Sequence, residues 1–75
     1  MQIKTTLDKV NEALAKISEV GSVSVLGSGG SFSAKGVVGR FTYNQDLEIL
    51  TIIIDDKPWL ASDSMIENEI RKFFA

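Results

Sequence analysis

The sequence predicts a single α+β domain in which two helices flank a four-stranded antiparallel meander and pack on one face of its sheet. Apolar residues recur at helical spacing near both ends of the chain, and they alternate with polar residues in the middle. Residues typical of turns separate the alternating segments. Seventy-five residues are enough for one hydrophobic core, so the predicted domain spans residues 1–75.

The first helix is predicted from Thr6 to Val20, and Gly21 is expected to end it. Spacings of four and three place five apolar residues on one stripe of this helix, namely Ile3, Leu7, Val10, Leu14 and Ile17. A last helix is predicted after Leu60, with Ser62, Asp63 and Ser64 as candidate N-caps and a capping box formed by Ser64 and Glu67. Its apolar stripe consists of Ile66, Ile70, Phe73 and Phe74.

Four strands are expected between the helices. Gly27–Ser31 is interpreted as a turn or an engineered linker, and Asp55 and Asp56 as turn residues that follow the last strand. The predicted strands are Ser22–Val25, Phe32–Ala34, Val37–Tyr43 and Leu47–Ile54.

The fourth strand is unusual because it is apolar on both faces from Ile49 to Ile54. Either both faces are core, or one of them is a contact surface. Ile52 and Ile54 point away from the side occupied by Ile49, Thr51 and Ile53, so two helices on one side leave one set bare. A homodimer or a partner-bound state is therefore expected.

The composition argues against catalysis and cofactor binding. The chain has no cysteine and no histidine, so it lacks disulfides, the soft zinc ligands and the commonest general base. Gly27–Ser31 lacks the Gly-Lys-Ser/Thr context of a phosphate loop, and nothing completes a cation site around Asp55 and Asp56. We therefore predict no enzyme, no cofactor and no metal site.

Charge and hydropathy limit the partners. The net charge is −2, without the basic excess that direct nucleic-acid binding requires. The longest strongly apolar run, Ile49–Ile54, is far shorter than the ~20 residues of a membrane span. The N-terminus does not have the pattern of a secretory signal, so a cytoplasmic location is expected.

A partner-binding surface is predicted around Trp59, which follows a proline turn and is either a lid on the core or an interface anchor. Asp55 and Asp56, with Lys57, would form its polar rim. The full set of predicted binding residues is Trp59, Leu60, Tyr43, Asp55, Asp56, Ile52 and Ile54.

The stretch Phe32–Tyr43, with Gly36 and Gly39, together with Pro58–Leu60 and Ile66–Ile70, resembles the polyhydroxyalkanoic acid system, or granule-associated, proteins of bacteria. These are short helix, meander, helix chains. The resemblance implies a non-catalytic binding protein at a storage granule or hydrophobic ligand. It carries no functional residues over, because its motifs are structural.

Two alternatives remain open. An acidic phage or mobile-element protein could inhibit a host protein complex by occupying its basic site. A designed or engineered miniprotein would explain the regular first helix and the Gly-Ser segment.

Overall fold

The computed structural model describes residues 1–74 and contains two helices and one five-stranded antiparallel sheet. The strand order is β1-β5-β4-β3-β2, so β2 to β5 form a meander and β1 pairs with the outer side of β5. The elements are β1 Gln2–Lys4, α1 Leu7–Val20, β2 Gly21–Leu26, β3 Gly29–Ala34, β4 Val37–Asn44, β5 Ile49–Asp56 and α2 Asp63–Lys72.

The predicted four-stranded meander between two helices is wrong, because the chain begins with a strand. Ile3 pairs with Leu50 across β1 and β5, and the N-terminal ammonium group donates to the carbonyl of Ile52 at 2.8 Å. Ile3 is buried, but it belongs to the sheet and not to the stripe of α1. Thr6 caps the helix one turn later by accepting a hydrogen bond from the Lys9 N–H.

Four further boundaries differ from the sequence-based expectation. Gly21 begins β2 directly after α1, and Gly29 and Gly30 lie within β3, so only Gly27 and Ser28 form the turn. Asp55 and Asp56 continue β5 and do not form a turn. Leu47 lies in the turn before β5, where its side chain is exposed.

The core lies on one face of the sheet, where residues of both helices join the same apolar cluster. Helix α1 contributes Val10, Ala13 and Ile17, whereas α2 contributes Ile66 and Ile70. We call this side of the sheet the covered face and the other side the open face. The strands contribute Ile3, Phe32, Phe41, Tyr43, Leu50 and Ile52 to the covered face.

The register explains why these strand residues meet. Leu50 lies opposite both Ile3 and Tyr43, while Ile52 lies opposite Phe41 and Ile54 lies opposite Gly39. Residues that lie directly opposite each other on neighbouring strands share a face. Side chains alternate along a strand, so the intervening residues of β4 and β5, such as Arg40 and Ile53, lie on the open face.

The role of Ile3 can be tested against that of Leu7. Ile3 is 7% exposed and Leu7 is 42% exposed, although a helical stripe would bury the two alike. We expect Ile3→Ala to lower the free energy of unfolding by ~2–5 kcal/mol and Leu7→Ala to lower it by less than ~1.5 kcal/mol, because less apolar surface is lost at Leu7. Urea titrations of both variants measure the difference. A larger loss for Leu7→Ala would contradict the assignment of β1.

Candidate functional site

Three large apolar side chains project into solvent where β5 is joined to α2. Trp59 is 89% exposed and Leu60 is 75% exposed. Met65, in the first turn of α2, is also exposed. We call Trp59, Leu60 and Met65 the apolar tip. Clustered exposed apolar residues of this size are typical of contact sites.

The loop that carries the tip is held at both ends. The Ala61 N–H donates to the carbonyl of Pro58 at 2.9 Å, and the Pro58 ring lies against Gly36 in the turn between β3 and β4. Ser62 caps α2 by accepting a hydrogen bond from the Met65 N–H at 3.2 Å. The backbone of the tip is thus fixed while its side chains remain free, an arrangement that reduces the ordering cost of binding.

Two ion pairs involve the segment before and after the tip. Arg40 and Asp55 form a two-pronged contact on the open face, with Nε to Oδ2 at 2.9 Å and Nη2 to Oδ1 at 2.8 Å. The hydrogen bonds from Arg40 lower the pKa of Asp55, and Asp55 in turn raises the pKa of Arg40. Exposed pairs of this kind contribute little stability, but they fix side-chain positions.

A second ion pair joins the loop to α2. Lys57 Nζ contacts the Asp63 carboxylate, and the hydrogen bond it donates lowers the pKa of Asp63. The neighbouring Asp56 accepts a hydrogen bond from the Lys57 N–H at 2.9 Å. The carboxylates of Asp55, Asp56 and Asp63 therefore each accept a hydrogen bond from within the chain.

Some residues of the predicted binding surface lie elsewhere. Tyr43 and Ile52 are buried in the core on the covered face, and Ile54 is half-buried on that same face. The Tyr43 hydroxyl donates to the carbonyl of Thr5 at 2.8 Å. Burial, with a smaller effect of the Glu48 carboxylate, raises the pKa of Tyr43.

Tyr43 is also far from the tip. Val38 pairs with Asp56 at the end of the sheet near the tip, and Tyr43 lies five residues further along β4, or about 17 Å. Among the predicted binding residues, the structure therefore brings Trp59 and Leu60 together with Asp55 and Asp56, but not with Tyr43.

The interpretation of Trp59 as a core lid is wrong, since its side chain is almost fully exposed. The strand-like pattern before Pro58 and the cap after it do not specify which way the loop turns. Met65 was not identified from sequence as part of a surface. Met65 directly precedes Ile66 and therefore lies off the apolar stripe of α2, and this position was the signal that its side chain would be exposed.

The open face is less apolar than the pattern of the fourth strand suggested. Ile53 is exposed there, and Ile49 and Thr51 are half-buried. Serine and threonine side chains share the remaining surface with the exposed Leu26 and Val38; they include Ser22, Ser24, Ser31, Ser33 and Thr42. A shallow depression of about 400 Å³ lies beside Gly29. The open face is therefore mixed in character and not a continuous apolar surface.

The described part of the chain contains neither a cluster of acidic metal ligands nor a membrane-spanning helix. Between residues 1 and 74 there is no group of three or more acidic side chains close enough to hold a metal ion. None of the described helices has the length and apolar character needed to cross a membrane.

Comparison with known proteins gives no relative. No protein-family model matches the chain, and no curated protein or solved structure is significantly similar to it.

The ion pairs predict an acid-dependent loss of stability. Asp55 and Asp63 have pKa values below the ordinary 3.8, so both pairs stabilise the fold above pH 3.8 and lose this contribution as the pH falls through the lower folded-state values. We expect the melting temperature of a double variant, Asp55→Asn with Asp63→Asn, to fall less between pH 5 and pH 2 than that of the wild type.

Asp46→Asn is the matched control, because Asp46 forms no ion pair within residues 1–74. Its melting temperature should follow the wild-type pH dependence. Parallel curves for the wild type and the double variant would show that the two pairs do not contribute.

Proposed function

We propose that this chain is a non-catalytic, cytoplasmic binding protein that inserts its apolar tip into an apolar pocket of a protein partner. The observation that carries the proposal is the exposure of Trp59 on a loop whose backbone is fixed. Tryptophan is among the residues that most often dominate binding energy at interfaces. An unpaired tryptophan in solvent exposes a large apolar surface that binding would remove from water.

The surroundings of the tip also favour an interface. Asp56, Lys57 and Asp63 flank Trp59 and Leu60 along the chain and are joined by a hydrogen bond and an ion pair, and polar residues typically surround the apolar centres of interfaces. Pro58 and the cap at Ser62 hold the loop in one conformation, so a partner meets a preformed surface.

A granule surface is a second candidate, which the resemblance to granule-associated proteins suggests. The tip supports the granule surface because Trp59, Leu60 and Met65 project outward. Projecting apolar residues can enter an apolar surface that has no pocket. An inhibitor that offers acidic residues to a basic site has less support. The carboxylates of Asp55 and Asp63 near the tip are already neutralised by Arg40 and Lys57.

Replacement of Trp59 tests the proposal. We expect Trp59→Ala to weaken partner binding by ~2 kcal/mol or more, because the main apolar anchor is lost. The free energy of unfolding should change by less than ~0.5 kcal/mol, because the side chain makes no core contact. A tagged chain would capture the partner from an extract of the source cells, and calorimetry with the purified partner would measure the affinity.

Leu47→Ala is the matched control, since Leu47 is an exposed apolar residue in the turn at the opposite end of the sheet. Its binding should equal that of the wild type. Isolated polyhydroxyalkanoate granules stripped of protein provide the second arm, and binding to them that depends on Trp59 would favour the granule surface. Equal capture of every partner by the wild type and by folded Trp59→Ala would contradict both versions.

A further inference from the structure

The two edges of the sheet differ in how they are protected. The outer edge of β1 is only three residues long and carries Lys4. The outer edge of β2, Gly21–Leu26, is six residues long, has no charged residue and no proline, and pairs with β3 in unbroken register. Natural proteins usually shorten, charge or distort an exposed edge, because a regular one can pair with another strand.

The register identifies the unpaired groups of β2. The Tyr43 N–H donates to the carbonyl of Ser28, so Gly29 and Thr42 form a pair without hydrogen bonds to each other. Gly29 therefore bonds to its β2 partner, Leu26.

Because hydrogen-bonding direction alternates along a strand, Ser22, Ser24 and Leu26 all bond to β3. The N–H and C=O groups of Gly21, Val23 and Val25 then point outward. No backbone or side-chain partner is found for these groups within residues 1–74.

The outward groups are arranged symmetrically about Val23, and from this we infer that two copies of the chain pair through β2 in antiparallel register. Val23 lies opposite Val23 of the second copy, and Gly21 lies opposite Val25. All outward N–H and C=O groups of β2 are then used, because each of these pairs is of the hydrogen-bonded type. The inference is independent of the apolar tip.

Pairing of two copies through β2 gives a closed dimer and not open-ended assembly of many sheets. Pairing through β2 joins two five-stranded sheets, and the remaining edges are the two short, charged β1 strands and the part of β5 beyond Ile52, which ends in Asp55 and Asp56. The contact uses the same surface of both copies and therefore closes.

Apolar surface beside β2 adds to the contact. Val25 is exposed on the covered face, and a groove of about 310 Å³ lined by Leu7, Leu14 and Val25 opens next to it. Leu26, at the end of β2, is 86% exposed. Pairing would remove part of this surface from water.

The register makes a specific test available. Ser22 and Ser24 are exposed. In the proposed pairing, Ser22 of each copy lies opposite Ser24 of the other copy. The double variant Ser22→Lys with Ser24→Lys places like charges opposite each other twice. We expect the dimer dissociation constant to rise roughly 2- to 30-fold, as measured by sedimentation equilibrium over a concentration series.

A charge swap distinguishes pairing from damage to the fold. A second double variant, Ser22→Glu with Ser24→Glu, should also associate weakly with itself, but mixing it with the lysine variant should restore dimers. Ser31→Lys with Ser33→Lys is the matched control, because these exposed residues lie on the same face one strand inward. It should retain the dimer.

Amide hydrogen exchange provides a measurement on the unmodified chain. The N–H groups of Val23 and Val25 should exchange more slowly as the protein concentration rises, whereas the N–H groups of Ser22 and Ser24 should be protected at every concentration. A chain that stays monomeric at millimolar concentration, with fast exchange at Val23 and Val25, would overturn the inference. A dimer that the lysine variant leaves unchanged would also overturn it, because it must use another surface.

Discussion

Two phenylalanine rings lie across two glycines on neighbouring strands, and both rings belong to the core that the two helices cover. Phe32 of β3 lies opposite Gly39 of β4, and Phe41 of β4 lies opposite Gly30 of β3. A Cβ atom at Gly39 would lie 2.7 Å from the Phe32 ring, and one at Gly30 would lie 3.0 Å from the Phe41 ring. Each ring therefore occupies the space in which any residue other than glycine would place its side chain. Ile17 and Ile70 belong to the same cluster as these rings.

A core on one face has consequences for binding. The buried apolar residues lie on the covered face, whereas the open face mixes polar residues and the Arg40–Asp55 ion pair with the exposed Leu26, Val38 and Ile53. Further exposed apolar side chains lie at the tip after β5, at Val25 of β2, and singly at Leu7, Val20 and Leu47. In a domain of this size, which buries a limited share of its surface, such residues are costly unless another molecule covers them. In the two proposals, a protein partner covers the apolar tip and a second copy of the chain covers the edge of β2.

Local sequence patterns predicted much of the fold. Val10 and Ile17 identified α1, and the stripe of Ile66 and Ile70 identified α2, because these signals lie within a few turns of helix. The predicted capping box of Ser64 and Glu67 is wrong, because Ser62 caps α2 and Ser64 lies inside it. Ile3 was assigned to the wrong element because its spacing also fits the stripe of α1. Its actual partner, Leu50, is distant in sequence, and a local pattern does not contain that pairing.

The candidate site was less predictable for a similar reason. Trp59 and Leu60 were identified as a pair, but the direction in which their loop turns depends on Pro58 packing against Gly36 of another turn. Tyr43 and Ile52 have the alternation of a strand, which does not specify which face the helices cover. Gly29 and Gly30 resemble turn residues in sequence. Within β3, a Cβ atom at Gly29 would meet the carbonyl of Phe41, and one at Gly30 would meet the carbonyl of Ser24 and the Phe41 ring, and these close approaches exist only in the folded sheet.

A double-mutant cycle on the contact between Phe32 and Gly39 tests this account most directly. Gly39→Ala should lower the free energy of unfolding by ~1–3 kcal/mol, because the added methyl group meets both the Phe32 ring and the carbonyl of Ile53. Adding Phe32→Leu removes the ring, so the loss in the double variant should be smaller than the sum of the single losses by at least ~0.5 kcal/mol. Urea unfolding of the four proteins measures the coupling. Strictly additive losses would contradict the claim that the ring and the glycine form one packing unit.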